Sequence, residues 1–198
     1  LICFFIFLIT KNFSNKIRNG VLLDKDFEKP QAFHSEPISR CGGLAAIISL
    51  IIFILINYLL FGKILNDYLF LPVALFLIGF SDDLKIKTNP SARLLLMILI
   101  LSISIIFLSI NIDNMDVPVL REWMLHSRIF ETFFILLCFL FIINGANLID
   151  GFNGLLAIQL IIINSILMFI SIDNSFQFLT IFITAQIIIL LIFLLFNF

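Results

Sequence analysis

The sequence predicts an all-α, polytopic helical membrane protein, and three observations lead to this fold class. Of the 198 residues, 62% are apolar and 13% are charged, against about 45–50% and about 25% in soluble domains. The mean hydropathy of +1.19 is too high for one soluble core, because a domain of this size still exposes roughly a third of its surface. The apolar residues also form continuous blocks rather than the alternating pattern of barrel strands. A soluble enzyme and a disordered chain are therefore excluded.

Charge and cysteine usage narrow the functional classes further. The 12 Lys and Arg residues balance 13 Asp and Glu residues, so the chain lacks the basic surface of a nucleic-acid-binding protein. Cys3, Cys41 and Cys138 lie far apart, with no Cys-x-x-Cys pair and no flanking His. This spacing suits neither a disulfide framework nor a zinc site, so we interpret the cysteines as small apolar side chains.

The apolar blocks predict the membrane spans, because a helix needs about 20 apolar residues to cross the hydrocarbon layer. The blocks lie at roughly 1–10, 44–61, 66–80, 94–110, 129–146, 155–171 and 176–198. The block 66–80 is short and carries Pro72 in its first turns, where proline costs little. We expect a single transmembrane domain over 1–198 with about six to seven helices. Because both ends lie inside apolar blocks, we also expect the chain to be a fragment of a longer protein.

The distribution of Lys and Arg predicts which loops face the cytoplasm. In chain order the loops are 11–43, 62–65, 81–93, 111–128, 147–154 and 172–175. The odd-numbered loops carry nine of these cations and the even-numbered loops carry three. The positive-inside rule then places the odd-numbered loops in the cytoplasm. Asp82, Asp83 and Asp150 lie in these odd-numbered loops, so the predicted chemistry faces the same side.

The first candidate cluster is the adjacent pair Asp82 and Asp83, within the run Gly79–Lys85. Two neighbouring carboxylates at a helix end repel each other, and the negative end of the helix dipole adds to the cost. A divalent cation, or a cation that accompanies a bound phosphate, would relieve this repulsion. The alternative is a solvated loop that ends a helix.

The second cluster contains three Asn, one Asp and three Gly between two apolar blocks, in the run Asn144–Leu155. Asn144, Asn147 and Asp150 are spaced by three residues, so on a helix they would share one face. Amide and carboxylate oxygens are hard ligands that suit Mg²⁺, and glycine permits close approach of the backbone to a ligand. A simple helix boundary would need only one such residue.

The third stretch, Lys29–Leu44, leads into the second apolar block and contains His34 and Arg40. His34 has the chemistry of a base, although a single His in a loop is more often solvated or hydrogen-bonded. Arg40 has the chemistry of a phosphate contact, and positive-inside anchoring explains it equally well.

Three motifs occur in order along the chain: Pro37–Ala45 (PISRCGGLA), Gly79–Asp83 (GFSDD) and Asn144–Leu155 (NGANLIDGFNGL). With these motifs the chain resembles the polyprenyl-phosphate N-acetylhexosamine-1-phosphate transferases, glycosyltransferase family 4. That family includes the bacterial enzymes that begin the lipid intermediates of O-antigen lipopolysaccharide, teichoic acid and peptidoglycan. The resemblance implies transfer of a sugar-1-phosphate from a UDP-sugar to undecaprenyl phosphate, with release of UMP, at the cytoplasmic face of the bacterial inner membrane.

The resemblance also implies roles for the acidic and amide residues. Asp82 and Asp83 would act at the attacking lipid phosphate or its metal. Asn147 and Asp150 would bind Mg²⁺, and Asp150 would also contact the diphosphate or the nucleotide. Asn144 would orient its neighbours.

The remaining expected substrate contacts are two glycines and two residues of the third stretch, namely Gly151, Gly154, His34 and Arg40. The glycines would let the loop approach the substrate. The partners implied are a UDP-sugar, a polyprenyl phosphate and the membrane, without nucleic acid, and a homodimer is left open.

The sequence departs from the family pattern at Asn153, where many relatives have Asp. The family's next motif, a Phe-x-Gly-Asp loop with a Mg²⁺-binding Asp, would follow Phe198, and a His-rich loop linked to sugar recognition would come later. Activity of the chain by itself, the sugar, the glycan pathway and the polyprenol length are therefore left open.

Two alternatives come from other functional classes. A transporter or channel would line a cation path with acids, which predicts carboxylates near the bilayer midplane and repeated halves. A CDP-alcohol phosphotransferase would need a denser Asp array with an Ala-Arg pair, which does not follow Asp150-Gly151.

Overall fold

The computed structural model of the chain describes residues 1–14, 23–24, 38–39, 41–62, 66–84, 89–112, 115–149 and 154–197. These residues form eight helices and one pair of two-residue strands. The helices are α1 (Ile2–Ser14), α2 (Gly42–Phe61), α3 (Asn66–Asp83), α4 (Pro90–Phe107), α5 (Pro118–His126), α6 (Arg128–Ile149), α7 (Leu155–Asp173) and α8 (Gln177–Asn197).

Seven of these eight helices coincide with the seven predicted apolar blocks, and the predicted fold class is confirmed. In the described part of the chain, five helices are long and apolar enough to cross a membrane, namely α2, α4, α6, α7 and α8. α1 and α3 contain shorter apolar segments. The protein is therefore a multi-pass helical membrane protein.

The eighth helix, α5, corrects the prediction that 111–128 is a loop. Pro118 occupies the first turn of α5, where its fixed φ suits a helix and its missing N–H is not needed. The helix ends at Ser127, whose backbone is extended and whose N–H donates to the Trp123 carbonyl oxygen, 3.0 Å away. Only nine residues form α5, and its mixed polarity hid it from a search for apolar blocks.

Pro72 lies in the second turn of α3, within the first turns as predicted, but deeper than the positions at which proline costs little. The helix begins at Asn66, so Pro72 is its seventh residue. Proline at this depth lacks the N–H that would bond to the carbonyl of Tyr68, which weakens the second turn of α3.

One compact unit comprises Leu1–Leu65, Asp83–Lys85 and Leu148–Phe198. Within it, α8 packs against α7, α2 and α1, and α1 packs against α2. The buried side chains Ala45, Ile54 and Ile183 form part of its core. Because these side chains are apolar and small or branched, they allow neighbouring membrane helices to approach closely.

The other compact unit comprises Asn66–Asp82 and Ile86–Asn147. Four of its buried side chains lie on α4, namely Met97, Leu101, Ser104 and Ile105. Their spacing of four, three and one residues places them on one face of the helix. α4 therefore turns one stripe of side chains inward.

The pair of strands joins the two ends of the stretch between α1 and α2. Leu23 pairs with Ser39 and Asp24 with Ile38 in antiparallel register. This pairing is too short to change the fold class. It places Ile38 and Ser39, which belong to the PISRCGGLA motif, beside residues fourteen and sixteen positions earlier, respectively.

Candidate active site

The last two turns of α6 carry the asparagine pair. The helix continues through the Asn- and Gly-rich run to Ile149, so Asn144 and Asn147 share one helical face, as their spacing predicts. Both side chains are exposed. Asn144 Nδ2 donates a hydrogen bond to the Leu140 carbonyl oxygen, 2.8 Å away. Since the amide nitrogen is held by its own helix, the amide oxygen is the atom presented for another contact.

The glycines of this run meet two different structural needs. A Cβ added at Gly145 would have no neighbour within 4 Å, so the helix surface at Gly145 itself is open. Gly154 is buried and has φ 70° and ψ −5° at the start of α7. This left-handed conformation strains any residue with a Cβ. Gly154 therefore has a conformational role, beside the substrate contact predicted for it.

The acidic pair occupies the last two positions of α3. The helix runs through Asp83, three residues beyond the predicted block end, and Ser81 Oγ donates to the Ile78 carbonyl oxygen, 2.6 Å away. Negative charge on the last turn of a helix opposes the helix dipole. The backbone thus places the carboxyl-bearing residues where a bound cation would stabilise them most. The side chains of Asp82 and Asp83 lie outside the described residues.

The start of α2 shows a packing role for the Cys-Gly-Gly part of its motif. Cys41 is buried, and its carbonyl oxygen accepts from the Ala45 N–H, 2.9 Å away. A Cβ at Gly42 would meet the ring of Phe193 closer than real Cβ atoms approach another atom. Gly42 therefore permits close packing of α2 against α8. The sequence signal was the glycine pair at the start of an apolar block, which we interpreted only as part of a motif.

Several predicted site residues lie outside the described residues, namely His34, Arg40, Asp150 and Gly151. Their roles stay predictions. The structure brings Asn144 and Asn147 together on α6 and places Asp82 next to Asp83 at the end of α3.

The candidate donors suit a hard cation in chemical type. Asn144 and Asn147 present amide oxygens, and Asp82, Asp83 and Asp150 supply carboxylates in the sequence. Oxygen ligands of both kinds bind Mg²⁺. The described residues contain no group of three His, Cys, Asp or Glu that could hold a metal ion, so the Mg²⁺ prediction depends on carboxylates beyond them.

Comparison with known proteins identifies one family. The sequence model described as glycosyl transferase family 4 matches residues 66–198, about two thirds of the chain. The matched range includes the acidic pair at the end of α3 and the asparagine pair at the end of α6. None of the curated proteins and none of the solved structures matches the chain significantly.

Proposed function

Because the chain belongs to glycosyl transferase family 4, and is in general terms a phospho-sugar transferase onto polyprenyl phosphate, we propose a more specific activity for it. The protein transfers an N-acetylhexosamine-1-phosphate from a UDP-sugar to undecaprenyl phosphate. A single observation carries the proposal: the matched range 66–198 contains both polar clusters, each at the end of a helix. Family membership also favours the transferase over the transporter or channel alternative.

The reaction balances as a displacement at phosphorus. An oxygen of the lipid phosphate bonds to the phosphorus that carries the sugar, and the bond from that phosphorus to the bridging oxygen of UDP breaks. The products are a polyprenyl diphosphate sugar and UMP. A lipid phosphate is already largely ionised at neutral pH, so the protein's task is positioning and charge neutralisation rather than deprotonation.

The asparagine pair supports the metal part of the proposal. Mg²⁺, when bound, would neutralise the diphosphate and stabilise the charge on the leaving UMP. Asn147 and Asp150 are the proposed protein ligands. Asn144 is a positioning residue, because its bond to the Leu140 carbonyl oxygen fixes the direction of the amide next to Asn147. A Cβ at Gly145 would meet no neighbour within 4 Å, so the surface of α6 next to Asn144 in the chain is open.

The other proposed contacts concern the two substrates. Asp82 and Asp83 act at the lipid phosphate or its metal, and Asp150 also contacts the diphosphate or the nucleotide. Substrate contacts of His34, Arg40, Gly151 and Gly154 complete the proposed site. Their support is the family resemblance of the motifs that contain them, and for Arg40 also the affinity of guanidinium groups for phosphate.

The proposed location is the cytoplasmic face of a bacterial inner membrane. The support is the excess of Lys and Arg in the odd-numbered loops, and the need of a cytosolic UDP-sugar to meet a membrane lipid. The product would begin a cell-envelope glycan, such as lipopolysaccharide or a cell-wall polymer.

A reconstitution assay tests the proposed substrates. The full-length protein in vesicles is supplied with UDP-N-acetylhexosamine and undecaprenyl phosphate, and UMP and lipid-linked sugar are measured together. We expect equal amounts of both products, and none without the lipid phosphate. Release of UDP instead of UMP, or transfer that does not need a polyprenyl phosphate, would contradict the proposal.

A further inference from the structure

A second polar site lies at the other end of α6. A pocket of about 240 Å³ is lined there by Arg121 and Leu125 of α5 and by Arg128 and Glu131 of α6. Glu131 and Asn147 are sixteen residues apart on one helix, which corresponds to about 24 Å at 1.5 Å per residue. The pocket is therefore separate from the candidate active site, and the proposed function does not use it.

The charged residues that line this pocket are two Arg and one Glu, so its net charge is positive. Glu131 is only 8% exposed, and both of its carboxylate oxygens are occupied. Oε1 accepts from the Ile112 N–H at 2.9 Å, and Oε2 accepts from Arg128 Nη1 at 2.7 Å. Arg121 is exposed and makes no ion pair with any residue that the structure describes. The pocket thus combines a neutralised carboxylate with an available guanidinium group.

The position of α5 places this guanidinium at a membrane surface. Ser127 alone separates α5 from α6, and α6 is one of the helices able to cross the membrane. α5 carries exposed apolar side chains, with Val119 at 60%, Trp123 at 57% and Leu125 at 74%, and of these three Leu125 lines the pocket. A short helix with Trp, Arg and exposed apolar side chains beside a span is typical of the layer between headgroups and acyl chains.

We propose that this pocket binds the phosphate of an anionic phospholipid in the leaflet at the α5 end of the membrane. The Arg121 guanidinium donates to the phosphate oxygens, a geometry that suits two parallel hydrogen bonds. Arg128 supplies a second positive charge while it stays paired with Glu131. Leu125, which lines the pocket and is exposed, contacts the acyl chains of the same lipid, and this contact favours a phospholipid over free phosphate.

Trp123 is the single Trp of this chain and lies two residues from Arg121, so it reports on lipid beside α5 once every Trp outside this chain has been replaced by Phe. The full-length protein is reconstituted in vesicles that mix brominated phosphatidylglycerol with phosphatidylcholine, and quenching of Trp123 fluorescence gives their relative binding constant. We expect about a fivefold preference for phosphatidylglycerol, the effect of roughly one Arg near a charged surface. Arg121→Gln should bring this ratio close to one.

Two control variants distinguish lipid binding at Arg121 from a general effect of charge on the protein surface. Glu122→Gln changes an exposed neighbour that does not line the pocket, and Arg93→Gln removes the same charge at the far end of α4. Both should keep the preference. Rising salt should lower the wild-type preference because it screens the ion pair, a readout that does not depend on the folding of a variant.

Four results would overturn the proposal. The first is equal quenching by the two lipids, and the second is a preference that Arg121→Gln leaves unchanged. The third is the absence of quenching by either lipid, which would place Trp123 in water or beneath a second protein copy. Relief of quenching by millimolar inorganic phosphate would also contradict it, because the site would then hold a free anion.

Discussion

Asn144 donates through Nδ2 to the carbonyl oxygen of Leu140, one turn earlier on α6. The bond uses one of the two N–H groups of the side-chain amide and restrains the orientation of that amide. Asn174 makes the same bond to the Ile170 carbonyl oxygen, 2.9 Å away, at the end of α7. The chain thus contains two exposed asparagines with equivalent local geometry, of which only one lies in the candidate active site.

Because the two hydrogen bonds are equivalent, substitutions of Asn144 and Asn174 can be compared as a matched pair. We expect Asn144→Ala to weaken the apparent affinity of the transferase for Mg²⁺ by about 10–100-fold, as loss of a group that orients a metal ligand usually does. Asn174→Ala removes an identical hydrogen bond and should leave the affinity unchanged. Titration of activity with Mg²⁺ measures both. Equal effects of the two substitutions would assign Asn144 a structural role only.

Metal dependence can be tested without any substitution. We expect transfer by the full-length protein to require Mg²⁺ and to stop in EDTA, because neutralisation of the diphosphate is a large part of phosphoryl-transfer catalysis. Added Mg²⁺ should restore it. Undiminished turnover in the chelator would rule out the metal mechanism.

The orientation of the loops can be tested by thiol labelling in intact cells. In a variant with Cys3, Cys41 and Cys138 replaced, a membrane-impermeant thiol reagent should modify Met115→Cys and not Lys87→Cys. The reason is the excess of cations in the odd-numbered loops, which predicts that residue 87 is cytoplasmic. Labelling of residue 87 alone would show that the topology is the reverse of the predicted one.

Substitution of Gly42 tests the packing of α2 against α8. A Cβ at this position would overlap the Phe193 ring, and overpacking of this kind typically costs about 1–3 kcal/mol. We expect Gly42→Ala to lower the Tm of the purified protein and Phe193→Leu to restore part of the loss in the double variant. Gly79→Ala is the control, because a Cβ there meets nothing within 4 Å. Equal Tm values for both glycine variants would contradict this packing.

The helices could be predicted because membrane spans need continuous apolar sequence, and all seven blocks coincide with helices. α5 could not, because its apolar and charged residues are mixed and only packing at the end of α6 accounts for it. The ends of α3 and α6 were predicted too early. Asp82, Asp83 and the Gly-Asn run read as loop signals in isolation, but a long preceding helix can extend through a few unfavourable residues.

The candidate site was predicted in part. The shared face of Asn144 and Asn147 followed from helical spacing alone, and the structure confirms it. The contact between Gly42 and Phe193 joins residues that are far apart in sequence, so no local pattern could reveal it. The roles of Asp82, Asp83 and Asp150 stay predictions, which direct substitution can test.

Asp150→Asn should abolish transfer while the protein still inserts in the membrane. The substitution keeps the shape of the side chain and removes a charge that would face Mg²⁺ or the diphosphate. Loss of one positioned charge typically lowers the rate by about 10²–10³-fold. A variant that inserts and retains wild-type turnover would exclude Asp150 from the site.

Turnover of Asp83→Asn against Asp67→Asn tests the central claim most directly. Both residues belong to α3, Asp83 at its last position and Asp67 at its second, so the same substitution is made at opposite ends of one helix. The account predicts a loss of about 10²–10³-fold for Asp83→Asn and near wild-type turnover for Asp67→Asn, because Asp67 lies at the opposite end of α3 from the candidate site. Equal turnover of the two variants, whether high or low, would contradict an acidic active site at the end of α3.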